Sequence, residues 1–287
     1  MALAPKMHRV SGSGVALNLA EWEGGEPSIF CIHGLTANCR CWDGMAESLS
    51  PAHRVLAVDL RGRGLSDAPD SGYSIEHHCQ DLKQVMHTWN MKPVVLMGHS
   101  LGAAIALAFA ASFPERVRAV VLVDGGGKLE DDDMEAVLQG ISPSLERLGR
   151  IFASPEEYLE TMKRSRHFQP WNDVCEAAFR HELSETQAGL ICRIQPGHIK
   201  EELQNLGRVD ISTTYSRIAC PVLILRASQG LLGGEQGLLL PRSALDRMLR
   251  GIPKAECVDV KGTDHYSILF QPNSQRDRAV LDFLDRV

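Results

Sequence analysis

No stretch of this chain stays apolar for the roughly 20 residues that a bilayer-spanning helix needs, so a membrane is not an expected partner. Lysine and arginine form no long basic run, and the formal net charge is −6, which argues against a nucleic-acid surface. Residues 1–8 hold no apolar core long enough for a secretory signal, and a cytoplasmic protein is expected on that ground. Internal repeats and low-complexity segments are absent from the sequence. The eight cysteines lack framework spacing: Cys31, Cys79, Cys175, Cys220 and Cys257 fall on separate segments and read as reduced thiols. Cys39 and Cys41 stand too close for an ordinary zinc pair and have no second ligand pair nearby, so no metal is expected. What is present is a hydrophobic fraction of 44% and a charged fraction of 23% over 287 residues. That suits a soluble protein of one large α/β domain or two small ones, with a substantial core.

Short apolar runs bounded by turn residues alternate with helical spacing. Strands are expected at 28–32, 54–58, 94–97, 118–123, 222–225 and 256–260, and helices at 74–89, 101–110, 242–249 and 275–284. Ser74 suits a helix cap, with Ile75, Cys79, Leu82, Val85, Met86 and Trp89 on one face. Repeated βα units with continuously apolar strands imply a mostly parallel sheet covered by helices on both faces. Residues 9–23 carry Gly12 and Gly14 between two alternating runs, as an antiparallel hairpin at a sheet edge would. Residues 128–206 break the rhythm, with amphipathic helical runs at 155–162 and 173–183 and no convincing strand. Glu130, Asp131, Asp132 and Asp133 read as a solvated helix start.

Gly98-His99-Ser100-Leu101-Gly102 lies between the 94–97 strand and the Ala-rich 101–110 helix. Strand, tight turn and helix is the context in which a G-x-S-x-G pentapeptide forms a nucleophile elbow. Glycines at 98 and 102 let strand and helix approach closely, and the helix N-terminus sets N–H groups beside the serine oxygen. A serine hydroxyl needs a base, an orienting acid and oxyanion donors. His265, in the loop after the 256–260 strand, suits the base. His77, His78 and His87 fall in a helix, His53 precedes a strand, and His99 flanks the serine but is expected to point elsewhere. The Leu101 N–H suits one oxyanion donor, and the Leu35 N–H, after the 28–32 strand, suits the other, with His33 bracing that loop.

His33-Gly34, the Asp59-Leu60-Arg61-Gly62-Arg63-Gly64 run, the elbow and Gly262-Thr263-Asp264-His265 occur in an order that resembles the α/β-hydrolase superfamily over nearly the whole chain. The resemblance implies an α/β-hydrolase fold, with a core at 1–127 and 207–287 and a helical lid inserted at 128–206. It also implies the chain order serine, acid, histidine, no cofactor, and an architectural role for Arg61. In the commonest family pattern the acid follows the 222–225 strand, yet residues 226–232 contain no carboxylate. Asp124, at the end of the strand after the elbow helix, stands at a second location that the family uses. Glu235, Asp210 and Asp264 remain alternatives.

Related dehalogenases and epoxide hydrolases carry Asp at the elbow, so Ser100 favours acyl transfer to water. A carboxylesterase-like serine hydrolase of a small ester, or of a thioester, lactone or amide, is the leading expectation. A C–C bond hydrolase of aromatic degradation is the same-fold alternative, and a non-catalytic ligand-binding protein the different class. Phe168 and Trp171 are candidate substrate contacts. Arg40, with Arg147 and other arginines of the 128–206 segment, is a candidate for binding a substrate carboxylate, which points to an acidic substrate. The expected partner is a small acyl substrate, and homo-oligomerisation is left open.

Overall fold

The computed structural model describes residues 4–287, so the first three residues of the 1–8 stretch lie outside it. Eight strands form the main sheet: β1 (Lys6–Ser11), β2 (Ala16–Trp22), β3 (Gly25–Ile32), β4 (His53–Val58), β5 (Val94–His99), β6 (Val117–Val123), β10 (Val222–Ala227) and β11 (Ala255–Val260). Between β6 and β10 lie β7 (Ile151–Phe152), β8 (Leu183–Thr186) and β9 (Gly189–Cys192), which make a separate three-stranded sheet. The helices are α1 (Asp43–Leu49), α2 (Ile75–Thr88), α3 (Leu101–Ser112), α4 (Asp131–Leu145), α5 (Pro155–Lys163), α6 (Asp173–His181), α7 (Pro196–Leu206), α8 (Arg242–Gly251), α9 (Ser267–Phe270) and α10 (Ser274–Leu284).

The main sheet has the order β1-β2-β4-β3-β5-β6-β10-β11. Strand β2 pairs antiparallel with both β1 and β4, and every other pairing is parallel. The expected edge hairpin is therefore present. Side chains alternate across the sheet with period two. Phe30, Leu56, Leu96, Leu122 and Ile224 face the cluster packed by α2, α3 and α8. Cys31, Ala57, Met97, Val121 and Leu225 face the cluster packed by α1 and α10. With both faces covered, the inner strands β4, β5, β6 and β10 bury nearly every side chain, each large aliphatic one contributing about 1.5–3 kcal/mol, while the edge strands β1 and β11 bury one residue each.

Chain order explains where a site can form. From β3 the chain crosses to β4 on one side, then returns to place β5 on the other side of β3. Such a reversal leaves a crevice at the carboxyl ends of the two strands, where ligands bind in open α/β sheets. The loop after β3 begins at His33, and the turn after β5 holds Ser100.

Segment 128–206 departs from the expectation of helices alone. Its three strands are two and four residues long, and β8 turns into β9 through Gly189 at φ +133°. Strands this short fall below the length at which alternation can be read. The acidic run does open a helix, with Asp131, Asp132 and Asp133 in the first turn of α4, where the helix dipole favours negative charge. Phe152, Tyr158, Leu159, Phe168 and Phe179 of the segment join the same buried cluster as Trp42 and Met45. All eight cysteines are free thiols, six of them buried. Among the described residues no helix is long and apolar enough to cross a membrane.

Candidate active site

Ser100 has φ +56° and ψ −118°, a left-handed backbone that a β-substituted residue adopts only under constraint. The constraint is packing. A Cβ at position 98 would lie 2.2 Å from the Gly102 carbonyl oxygen, and one at 102 would lie 2.1 Å from that of Ile32. Both positions demand glycine because β3, β5 and α3 meet there backbone to backbone. The turn sets Ser100 at the amino end of α3, a helix whose residues from Leu101 to Leu107 are all buried.

Asp124 follows directly on β6 with φ +46°, and His265 lies in the loop after β11. Their side chains meet at 2.8 Å, His265 Nδ1 to Asp124 Oδ2. The other Asp124 oxygen accepts from the Ala227 N–H at 3.0 Å, so neither oxygen is idle. A carboxylate only accepts, so Nδ1 carries the proton and Nε2 of neutral His265 keeps a lone pair. His99 lies on His265, ring centroids 4.5 Å apart with 27° between planes. Its Nε2–H donates to the His265 carbonyl at 2.9 Å. Burial, followed by the neighbouring His265, pushes His99 well below the usual imidazole range, so it stays neutral. The expectation that His99 points elsewhere is corrected: the β5 direction carries it under the His265 ring.

Ser100, His265, Leu35 and Leu101 line one cavity of about 440 Å³. A Cβ on Gly34 would stand 3.2 Å from that of Ser100, which shows how closely the 33–37 loop approaches the serine. His33 holds the loop's start, donating from Nδ1 to the Gly34 carbonyl at 2.7 Å and accepting the Leu60 N–H at 3.0 Å. Burial lowers its pKa to about 4. Met134, Val137, Leu138, Ile141 and Leu206 give the cavity apolar walls. Its charges cancel. Lys128 pairs with Asp210 at 2.8 Å, and Arg147 meets Glu182 through two nitrogens at 2.8 and 3.1 Å.

Three expected substrate contacts fare differently. Phe168 lines the cavity. Trp171 stands behind Phe179, stacked at 5.7 Å and 15°, with its indole N–H turned to Glu176. Arg40 is turned away by Asp43, three residues on, which takes Nε at 2.9 Å and Nη2 at 2.5 Å. Arg147 does reach the cavity, but Glu182 already neutralises it. The local sequence around position 147 gives no sign of a partner 35 residues away.

Of the alternative acids, Glu235 is exposed on a loop. Asp210 bonds Lys128 and caps the turn at Ser212. Asp264 takes His167 at 2.8 Å and the Ser267 N–H at 2.8 Å. Arg61 grips Asp81 through Nε and Nη2, each at 2.8 Å, and braces the Gly72 carbonyl. Cys39, Asp59 and His181 bring one ligand-type atom each within 4.8 Å of one another. That donor set fits a metal poorly. The Asp59 oxygens already accept from Cys39 N, Leu65 N, Asn18 Nδ2 and His181 Nε2, and burial pushes the Cys39 thiol well up, away from the thiolate.

A family model described as the alpha/beta hydrolase fold matches residues 27–272. The chain is 28% identical over 277 residues to 2-(acetamidomethylene)succinate hydrolase of Mesorhizobium japonicum, across 96% of this chain and 94% of the relative. It is 27% identical over 270 residues to 3-hydroxybutyrate-oligomer hydrolase of Cupriavidus necator, across 88% of this chain and 89% of that one. The solved structure of E-2-(acetamidomethylene)succinate hydrolase is similar at a TM-score of 0.85 and 26% identity, covering 98% of this chain and 99% of the other. These relatives are hydrolases. With the family match spanning most of the sheet and both ends of the site, the chain belongs to the α/β hydrolase fold family.

Proposed function

We propose that the protein is a serine hydrolase of small, uncharged carboxylic esters or related acyl bonds, acting through an acyl-enzyme. The observation that carries this reading is the 2.8 Å bond from His265 to Asp124 beside a strained Ser100 at a helix start. In this mechanism His265 Nε2 takes the Ser100 proton as Oγ attacks the acyl carbonyl. The Leu35 and Leu101 N–H groups receive the resulting oxyanion. His265 returns the proton to the leaving alcohol, thiol or amine, and water then repeats the sequence to release the acid. Asp124 holds the imidazole in the required tautomer. Segment 128–206 acts as the lid that walls the site with apolar side chains.

Charge balance in the cavity separates two substrate classes. The relative from Mesorhizobium japonicum is named for a succinate derivative, which carries two carboxylates. The relative from Cupriavidus necator is named for a 3-hydroxybutyrate oligomer, whose units are joined by esters and which carries a single carboxylate, at one end. The cations lining this cavity are matched by Asp210 and Glu182, so a dicarboxylate would be desolvated there without a free counter-ion. This supports an uncharged ester over the acidic substrate expected from the arginine content.

The test uses a fluorophosphonate probe and paired esters. Labelling of the folded protein should be lost in Ser100→Ala, and failure of the wild type to label overturns the serine mechanism. The value of kcat/KM for p-nitrophenyl butyrate should exceed that for the p-nitrophenyl monoester of succinate by at least about tenfold, equivalent to ~1.4 kcal/mol. The reverse order overturns the uncharged-substrate reading.

A further inference from the structure

Two buried arginines outside the proposed Ser–His–Asp set reach the same short loop. Arg63 donates from Nε to the Leu35 carbonyl at 3.1 Å, and Arg147 donates from Nη2 to the Thr36 carbonyl at 2.7 Å. Each is balanced by a buried glutamate. Arg63 Nη2 pairs with Glu202 of α7, which also takes His78 Nε2 at 2.5 Å. Arg147 pairs with Glu182, just past the end of α6, which also accepts from Tyr158 Oη. All four charged side chains are at least 98% out of solvent. Both glutamates belong to the β6–β10 segment, while Leu35 and Thr36 belong to the core.

We propose that Arg63–Glu202 and Arg147–Glu182 are a pair of positioning clamps that set the oxyanion loop, so that docking of the β6–β10 segment determines whether the Leu35 N–H is correctly aimed. The inference rests on the serine-hydrolase reading for its catalytic consequence. Its structural part, coupling of the segment to the loop, stands apart from it.

The physical argument is one of forced choice. A buried guanidinium must keep an anion and fill its remaining N–H bonds. With the glutamate in place, the remaining N–H groups are shared among fixed acceptors: Arg63 reaches the Leu35 and Arg61 carbonyls, and Arg147 the Thr36 and Ser144 carbonyls and Tyr158 Oη. Without the glutamate, the guanidinium turns toward water and releases the carbonyl. The loop then gains freedom in the two peptides that follow the one whose Leu35 N–H must meet the oxyanion, so that donor loses its fixed direction, and misplacing such a donor costs rate rather than substrate binding. The planar fork of arginine is needed, because an ammonium cannot span a carboxylate and a carbonyl from fixed directions.

The experiment compares Glu202→Gln, Arg63→Lys and Glu202→Asp with wild type, and uses Glu160→Gln, in an exposed segment ion pair with Lys163, as control. Hydrogen exchange of residues 34–38 is measured alongside kcat, KM and the inhibition constant of a boronic acid that forms a tetrahedral adduct on serine. Active serines are counted by fluorophosphonate titration, so an unfolded fraction does not register as lost rate. In Glu202→Gln and Arg63→Lys, exchange at 34–38 should quicken and kcat should fall by about tenfold or more, within the range for a weakened oxyanion donor. KM should stay within about twofold, and boronate binding should weaken in step with kcat/KM. Glu202→Asp should recover part of the loss. A variant that loses thermal stability but keeps wild-type kcat, boronate affinity and loop exchange overturns the proposal. If wild type fails to react with fluorophosphonate, the serine reading falls instead, and loop exchange alone decides the coupling.

Discussion

Asp124 divides its two oxygens between β10 and His265, taking the Ala227 N–H on one and the imidazole N–H on the other. Replacing it with Asn leaves the shape but offers an N–H₂ group where the ring needs an acceptor, which favours the wrong tautomer. Asp124→Asn is expected to lower kcat by about 10⁴ while the melting temperature stays close to wild type. Glu235→Gln, at an exposed position, should remain within about twofold. Parallel kcat measurements on the two variants check the assignment, and a collapse in Glu235→Gln alone would reverse it. The pairing of Asp124 with His265 was legible because residues 226–232 hold no carboxylate and the family resemblance offers the end of β6 as a second location. His99 was not, because a ring packed on a residue 166 positions away leaves no local pattern. Arg147 misled for the same reason: the sequence displays a cation, and only the fold shows the glutamate that occupies it.

At the level of elements, the junction of β5 and α3 tolerates no bulk. A methyl at Gly102 would press α3 away from the end of β3, moving Ser100 and the 33–37 loop together. Gly102→Ala should cost about 3 kcal/mol or more in urea unfolding, with a steeper loss of kcat than of expression. Gly197, in the first turn of α7, has open space where a Cβ would go, so Gly197→Ala should leave stability unchanged or raise it by up to ~1 kcal/mol. Equal unfolding midpoints for the two variants would refute the packing account. Elements with strong local signals were legible: Ser74 caps α2 by accepting the His77 N–H, and Gly12 and Gly14 sit in the β1–β2 turn. The β7–β9 sheet was illegible, since its strands are defined by pairing across the segment, Ile151 with Ile191 and Ser184 with Ile191, and not by their own composition.

Across the whole molecule, two buried carboxylates tie the core to the β6–β10 segment: Asp59 binds His181, and Glu202 binds Arg63 and His78. Burial alone would raise both pKa values. In Asp59 the hydrogen bond and charge of His181, with the Cys39 and Leu65 amides, outweigh it, and in Glu202 the charges of Arg63 and His78 do, each reaching about 2. A folded pKa below the unfolded one stabilises the fold above the unfolded value, and that stabilisation is lost as pH falls toward the folded value. Stability should therefore drop between about pH 4.5 and 2, and Glu202→Gln should flatten that slope in urea titrations across the window. An unaltered slope would show that the pair does not couple to folding. The α/β alternation was legible over most of the chain because each unit is local, whereas these ties join residues more than 120 positions apart. The position proposed for the acid has one further consequence. With Asp124 supplied by β6, the loop between β10 and α8 carries no reacting group, although Leu239 from that loop reaches the cavity wall. Its tip at 233–236 is exposed and closed by backbone bonds, the Gly230 N–H to the Gly234 carbonyl and the Leu232 N–H to the Gln236 carbonyl, with a bridge between Gly233 and Gln236. That tip is the natural place to graft or randomise sequence, whereas the loop's base stays fixed, because Ser228 accepts the Gly262 N–H and the Gln229 N–H donates to the Thr263 carbonyl on the approach to His265.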